Sequence, residues 1–328
     1  MKIAILDDYL RRARSAANWS RLAQTCEITV FDRPLAVPDE AAAALRDFDI
    51  VCLLRERMPV SRELIGRLPK LKMIAVTGLY CRVLDVAAAA ERGIVVSFTE
   101  LRGPYRTATS ELAWGLILSV ARSIPQESNR MRDGGWQSSV GVTLSGRTLG
   151  LLGLGRQGRR MVPVAKAFGM EVIAWSQNLQ AEYAARFGVT RVDRDELFRT
   201  SDVLSIHVVL GERTRGLVGE RELALMKPSA ILVNTARGAI VDEACLVDAL
   251  ANGRIAGAGL DVYAQEPLPE RHPLRRLPNA VLMPHQGHHV EEFYQVAYAD
   301  VVENIEAFLA GKSIRVLTAE RNQSALMP

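Results

Sequence analysis

Long apolar runs are absent from this 328-residue sequence. No window offers about 18 uninterrupted apolar residues, which excludes a membrane-spanning helix. The N-terminal Met1-Lys2-Ile3-Ala4-Ile5-Leu6 turns acidic at Asp7 and Asp8, so it lacks the apolar centre of a signal peptide. Cysteine is scarce. Cys26, Cys52, Cys81 and Cys245 include no C-x-x-C pair, which excludes a disulfide framework and fits a reducing, cytoplasmic compartment. Cys52 lies in an apolar run and Cys245 in an amphipathic stretch, so both read as buried thiols. Charge of one sign is also slight: 41 basic against 37 acidic residues leave +4, too small an excess to point to nucleic acid. Repeats and low-complexity segments are missing as well. With 48% hydrophobic and 24% charged residues, what remains is an ordinary globular chain of one large domain or two.

Short apolar runs alternate with longer helical patterns, which predicts parallel α/β sheets. The first series is Ile3–Leu6, Ile28–Phe31, Ile50–Leu54, Met73–Val76 and Ile94–Val96, enough for a complete small α/β domain. Gly103 and Pro104 break the pattern before an apolar helix from about Ser110 to Ser123. The face of that helix bearing Leu112, Leu116 and Val120 suits either a dimer contact or plain core. The second series is Leu149–Gly153, Val172–Trp175, Val203–His207, Ile231–Asn234, Ala256–Asp261 and Val281–Met283, six strands in a doubly wound order. A long helix from about Val290 to Leu309, closed by Gly311, comes after those strands are used and is expected to return to the first domain or the cleft.

The turn Gly153-Leu154-Gly155-Arg156-Gln157-Gly158 follows a strand pattern and opens a helix running to about Phe168. That context turns G-x-G-x-x-G into a dinucleotide fingerprint. Gly153 allows the tight turn, Gly155 lets a pyrophosphate approach the backbone, and Gly158 lets helix and strand pack. The helix N-terminus, with Arg156 and Gln157, offers N–H groups to phosphate. Pro163 in the second turn of this helix predicts a local kink. About 20 residues on, where an acid would select NAD, the strand ends at Ser176-Gln177-Asn178 with no carboxylate. The Ser176 hydroxyl can bond a ribose or a 2′-phosphate, and Arg156 is the nearest candidate cation, so NAD and NADP both stay open.

Three further segments are Asn234-Thr235-Ala236-Arg237-Gly238, Leu260 to Leu268 with Asp261 and Glu266-Pro267, and Met283-Pro284-His285-Gln286-Gly287. With the glycine turn, in this order, they resemble the D-isomer-specific 2-hydroxyacid dehydrogenases, which include phosphoglycerate dehydrogenase and glyoxylate/hydroxypyruvate reductase. The resemblance covers nearly the whole chain. It implies two doubly wound parallel-sheet domains: a flavodoxin-like substrate domain (1–101 plus 290–328) and an inserted Rossmann NAD(P)-binding domain (102–289). It also implies a 2-keto or 2-hydroxy acid substrate and a homodimer, with neither nucleic acid nor membrane as partner. The catalytic set it implies is Arg237, Glu266 and His285. Histidine suits proton transfer to a carbonyl becoming an alkoxide, because it titrates near neutrality. A carboxylate on its other nitrogen fixes the tautomer and favours the charged ring. A guanidinium presents a planar fork to a carboxylate and polarises the keto oxygen. By the same resemblance Asp261, Thr235, Ala236 and His207 lie along the cofactor, although Val209 stands where a proline usually follows the histidine.

The substrate loop departs from the family's pattern, reading Gly78-Leu79-Tyr80-Cys81-Arg82 with Tyr80 in a glycine's place. The N–H groups of Leu79 and Tyr80 are expected to cradle a carboxylate, and Arg55 matches an arginine that faces the cleft. Tyr80 and Arg55 can equally be structural. Arg55, Arg82 and Arg102 could instead serve a phosphate. His288 and His289 are adjacent with no nearby third ligand, so they read as structural or cleft-lining rather than metal-binding, and the chemistry needs no metal. Two other functions remain open at this level: phosphoglycerate dehydrogenase itself, and a nucleotide-sensing corepressor that binds partners rather than turning over substrate.

Overall fold

The computed structural model of the protein describes residues 1–35, 37–100 and 102–324. The chain forms two compact units, one of residues 1–105 with 289–328 and one of residues 106–288. The sequence patterns had set the divisions a few residues away, at 101/102 and 289/290.

The first unit holds a five-stranded parallel sheet of β1 (Lys2–Ile5), β2 (Glu27–Val30), β3 (Ile50–Leu53), β4 (Met73–Val76) and β5 (Val95–Ser97). Its order is β2-β1-β3-β4-β5, the flavodoxin-like winding. Strands β3 and β4 are buried on both faces and read as unbroken Ile/Val/Met/Cys runs, as strands covered on both sides must. The returning helix Glu291–Leu309 belongs to this unit. Its Phe293, Ala297, Tyr298, Val301 and Ile305 pack on Ile3, Ile5, Ile50 and Met73, covering one face of the sheet.

The second unit holds a seven-stranded parallel sheet: β6 (Thr148–Leu152), β7 (Glu171–Trp175), β8 (Thr190–Arg191), β9 (Val203–Ile206), β10 (Ile231–Asn234), β11 (Gly257–Leu260) and β12 (Ala280–Leu282). Its order, β12-β11-β10-β9-β6-β7-β8, reverses direction of winding at β6/β9. That is one strand more than the six expected. The extra strand is the two-residue edge β8, whose Thr190 and Arg191 are both exposed, so no apolar run marked it. The helix Arg156–Ala167 continues past Pro163. In the helix Ala108–Ala121, Leu116 is buried, and Leu112 and Val120 pack on the same core as Leu149, Leu151 and Val233. This apolar face is therefore core. Cys52 is buried as expected, whereas Cys245 is only partly covered, because the helix Glu243–Ala251 turns it toward the rim. Among the described residues, no helix is long and apolar enough to cross a membrane.

Candidate active site

Strands of a parallel sheet deliver their following loops to one edge, so a site grows from the residues just after each strand. After β6, Gly153 takes φ +105, and a Cβ there would meet the His207 and Val208 backbone at 2.9 Å. A Cβ on Gly158 would come within 2.1 Å of the Gly153 carbonyl oxygen, so helix and turn can pack this closely only through glycine. Gly155, by contrast, faces open space. The helix that starts at Arg156 has no side-chain cap and no acid in its first turn, leaving its first N–H groups and positive dipole end available to an anion. Gln157 donates to the Arg106 carbonyl, while its own Oε1 is buried and unpartnered among the described residues. The turn therefore fits a dinucleotide's diphosphate.

Ser176 is half-buried just after β7, with Gln177 and Asn178 exposed beside it and no carboxylate in the segment. His207 follows β9, its Nε2 2.9 Å from the Ser205 hydroxyl. Burial pushes its pKa down to about 4, so the ring stays neutral at ordinary pH.

After β10, the Asn234 side chain accepts from the Ala236 N–H and donates to the Arg237 carbonyl, both at 3.0 Å, fixing the turn that presents Arg237. The guanidinium donates back to the Ala236 carbonyl at 2.7 Å. Thr235 is buried, and its hydroxyl has no partner among the described residues.

After β11 comes Asp261, 1% exposed. Its two oxygens accept the N–H groups of Gln286 (2.6 Å) and Gly287 (2.9 Å). The aspartate expected beside a nicotinamide thus also ties down the histidine's loop. Burial raises its pKa against those two N–H groups and the nearby His285 charge. Five residues on, Glu266 accepts the Tyr263 N–H at 3.0 Å with one oxygen. Its other oxygen lies 2.5 Å from His285 Nδ1. Burial pulls the Glu266 pKa up, but the His285 bond and charge, the Tyr263 N–H and Arg237 outweigh it, and the net shift is downward. Glu266 is therefore an anion held against the imidazole. His285 itself sits at φ +54, a left-handed backbone uncommon outside glycine, fixed by the two bonds to Asp261 in the residues that follow. With Nδ1 committed to Glu266, Nε2 is the nitrogen left for a reacting group. Arg237, Glu266, His285 and every expected cofactor residue lie in the second unit.

The expected substrate residues lie in the first unit. Arg55 follows β3 at φ +58, and its N–H donates to the Thr77 hydroxyl at 2.9 Å. A Cβ on Gly78 would come within 3.3 Å of the Arg55 guanidinium, so that side chain lies over the start of the loop after β4. In the same loop Arg82 covers the Tyr80 ring at 5.3 Å and pairs with Glu56 at 3.8 Å. The phosphate reading of Arg102 loses force, because it pairs with Glu100. Two features had no sequence signal. Arg57 lies 2.6 Å from His289 Nε2, and the Tyr294 hydroxyl lies 3.0 Å from His289 Nδ1, so the histidine is a structural bridge. Asn322, far along the chain, bonds to the loop at Cys81. Partners this distant in sequence cannot be read from spacing.

Among families of known proteins, residues 114–287 match the D-isomer specific 2-hydroxyacid dehydrogenase, NAD binding domain. The chain is 38% identical over 302 residues to a glyoxylate reductase of Aeropyrum pernix, covering 89% of each. It is 39% identical over 279 residues to a D-3-phosphoglycerate dehydrogenase of Methanocaldococcus jannaschii, with 84% of this chain matched to 52% of that one. This chain thus spans about half the length of that relative. A solved structure of a phosphoglycerate oxidoreductase from Vibrio cholerae is similar at TM-score 0.88 and 34% identity, over 95% of this chain and 99% of that one.

Proposed function

The chain belongs to the D-isomer specific 2-hydroxyacid dehydrogenase family, oxidoreductases that act on CH–OH groups with NAD or NADP, and on that premise we propose that it reduces a short 2-keto acid to the D-2-hydroxy acid. The observation that carries this reading is the 2.5 Å contact between His285 Nδ1 and the Glu266 carboxylate, in the same unit as Arg237 and the glycine turn. A bound nicotinamide dinucleotide would supply the hydride. The N–H groups at Gly155–Gln157 would hold its diphosphate, Ser176 its adenosine ribose, and Thr235, Ala236, His207 and Asp261 would line the ring's end.

In this reading His285 Nε2 gives its proton to the keto oxygen as the alkoxide develops, while Glu266 stabilises the charged ring beforehand and keeps its orientation afterwards. Arg237 binds the substrate carboxylate and polarises the keto oxygen. Arg55 and the N–H groups of Leu79 and Tyr80 supply further contacts to the carboxylate. No acid follows β7 to repel a 2′-phosphate, so NADH or NADPH is the hydride donor in this reading. A homodimer and a cytoplasmic location accompany this reading; four unpaired thiols suit a reducing compartment.

The test is a spectrophotometric screen. Glyoxylate, hydroxypyruvate, pyruvate, phenylpyruvate and phosphohydroxypyruvate are each offered with NADH and NADPH, following loss of nicotinamide absorbance. Turnover of one or more is expected, and His285→Asn should lower kcat by roughly 10²–10⁴ while NADH still binds. Preference for phosphohydroxypyruvate would identify a phosphoglycerate dehydrogenase. Dinucleotide binding without turnover of any keto acid would sink the proposal and favour a nucleotide-sensing role.

A further inference from the structure

The loop after β4 has tied ends and an open middle. The Thr77 N–H donates to the Leu53 carbonyl at 3.0 Å, and the Arg82 N–H donates to the Glu56 carboxylate at 3.0 Å. Between them, among the described residues, the N–H groups of Leu79 and Tyr80 donate to no protein acceptor. Cys81 is the next residue, fully buried. Its N–H donates to Asn322 Oδ1 at 2.9 Å, and its carbonyl accepts from Asn322 Nδ2 at 3.0 Å. One side-chain amide thus satisfies both peptide groups of one residue, as a neighbouring strand would. Asn322 is itself 7% exposed, so neither group has water as an easy substitute.

The segment carrying Asn322 is fastened in its own right. The Phe98 N–H donates to the Arg315 carbonyl and the Leu317 N–H to the Val96 carbonyl, so residues 315–317 lie along β5. Leu317 is buried in the core of the first unit, and the Arg321 guanidinium lies 3.6 Å from the centre of the Phe98 ring. The Asn322 amide is therefore a fixed object rather than a loose tail. The Cys81 thiol lies 3.8 Å from the Arg55 carbonyl, so the same clamp reaches the strained arginine.

We infer that Asn322 is a positioning residue for substrate recognition: by holding the Cys81 peptide it aims the Leu79 and Tyr80 N–H groups at the carboxylate of a 2-keto acid. This rests on the function proposed above. Two backbone donors serve an anion only while their peptide planes stay fixed, and a shift of about an ångström removes much of the benefit. The loss falls on substrate binding, because hydride and proton transfer use groups elsewhere.

The experiment compares wild type with Asn322→Ala and with Asn322→Leu, which is close in size, removes both hydrogen bonds and fills the hole should alanine leave one. The KM of the keto acid should rise roughly tenfold or more in both, since about 1.4 kcal/mol corresponds to tenfold. The kcat and the dissociation constant for NADH should stay within about twofold. Hydrogen exchange should quicken in peptides covering residues 77–83 and not around the glycine turn. A keto-acid KM unchanged in both variants overturns the inference. So does a parallel loss of kcat, cofactor affinity and melting temperature, which marks a merely structural role. If wild type reduces no keto acid, the proposed function falls first, and unchanged exchange in residues 77–83 then overturns the clamp separately.

Discussion

The proton donor proposed for the reaction, His285, is oriented through its other nitrogen, and the holding group is an anion held in turn. Glu266 spends one oxygen on the Tyr263 N–H and the other on His285 Nδ1, so the carboxylate cannot swing away. Glu266→Gln should therefore lower kcat by up to roughly 10²-fold, because the neutral amide replaces the anion held against the imidazole. The check is kcat measured beside the NADH dissociation constant: kcat should fall while cofactor binding holds, and an unchanged kcat would refute the pairing's role. The contact between Glu266 and His285 was legible in the sequence by family resemblance. Their local supports were not. Asn234 bracing Arg237, and Asp261 bracing the backbone after His285, are hydrogen bonds made only once the strand ends lie side by side.

Elements explain why the glycine turn works and what it costs. His207 ends β9 beside the turn, where a Cβ on Gly158 would come within 3.7 Å of the histidine's own Cβ. Its pKa is pushed from 6.5 to about 4 by burial, so the folded chain resists protonation that the unfolded chain accepts. Between those values the unfolded state binds the extra proton. Stability is thus fully present above about pH 6.5 and falls as the pH drops toward 4, by up to about 3 kcal/mol. Urea titrations at neutral pH and near pH 5 should reveal the loss, and His207→Asn should flatten it; an equal slope in the variant would assign the effect elsewhere. At this scale the apolar runs revealed every central strand to within a residue or two. The two-residue β8 escaped because an exposed edge strand needs no apolar face.

At the scale of the whole molecule, two sheets wound in different orders each keep their own core. The helix Ala108–Ala121 lays its apolar face on its own unit, so a dimer has to use another surface. Residues 124–142 offer one: Trp136 is 69% exposed and Val140 99%, with Met131 and Ile124 also exposed, more apolar surface in one stretch than a lone chain ordinarily leaves in water. Trp136→Glu combined with Val140→Asp should convert a dimer to monomer in sedimentation velocity. A wild-type monomer at micromolar concentration, or a double variant that remains dimeric, would exclude this surface. What the sequence by itself determined is the set of elements and the chemistry. Periodicity dictates which faces are buried, and the glycine spacing and the Arg237, Glu266, His285 segments carry constraints short enough to be read locally. Tertiary structure alone decided which distant groups meet: Asp261 under the residues after His285, His289 against Arg57, and Asn322 on Cys81. These are pairings of buried and part-buried polar atoms, and such a donor takes whichever acceptor the packed fold brings within about 3 Å, whatever the distance along the chain.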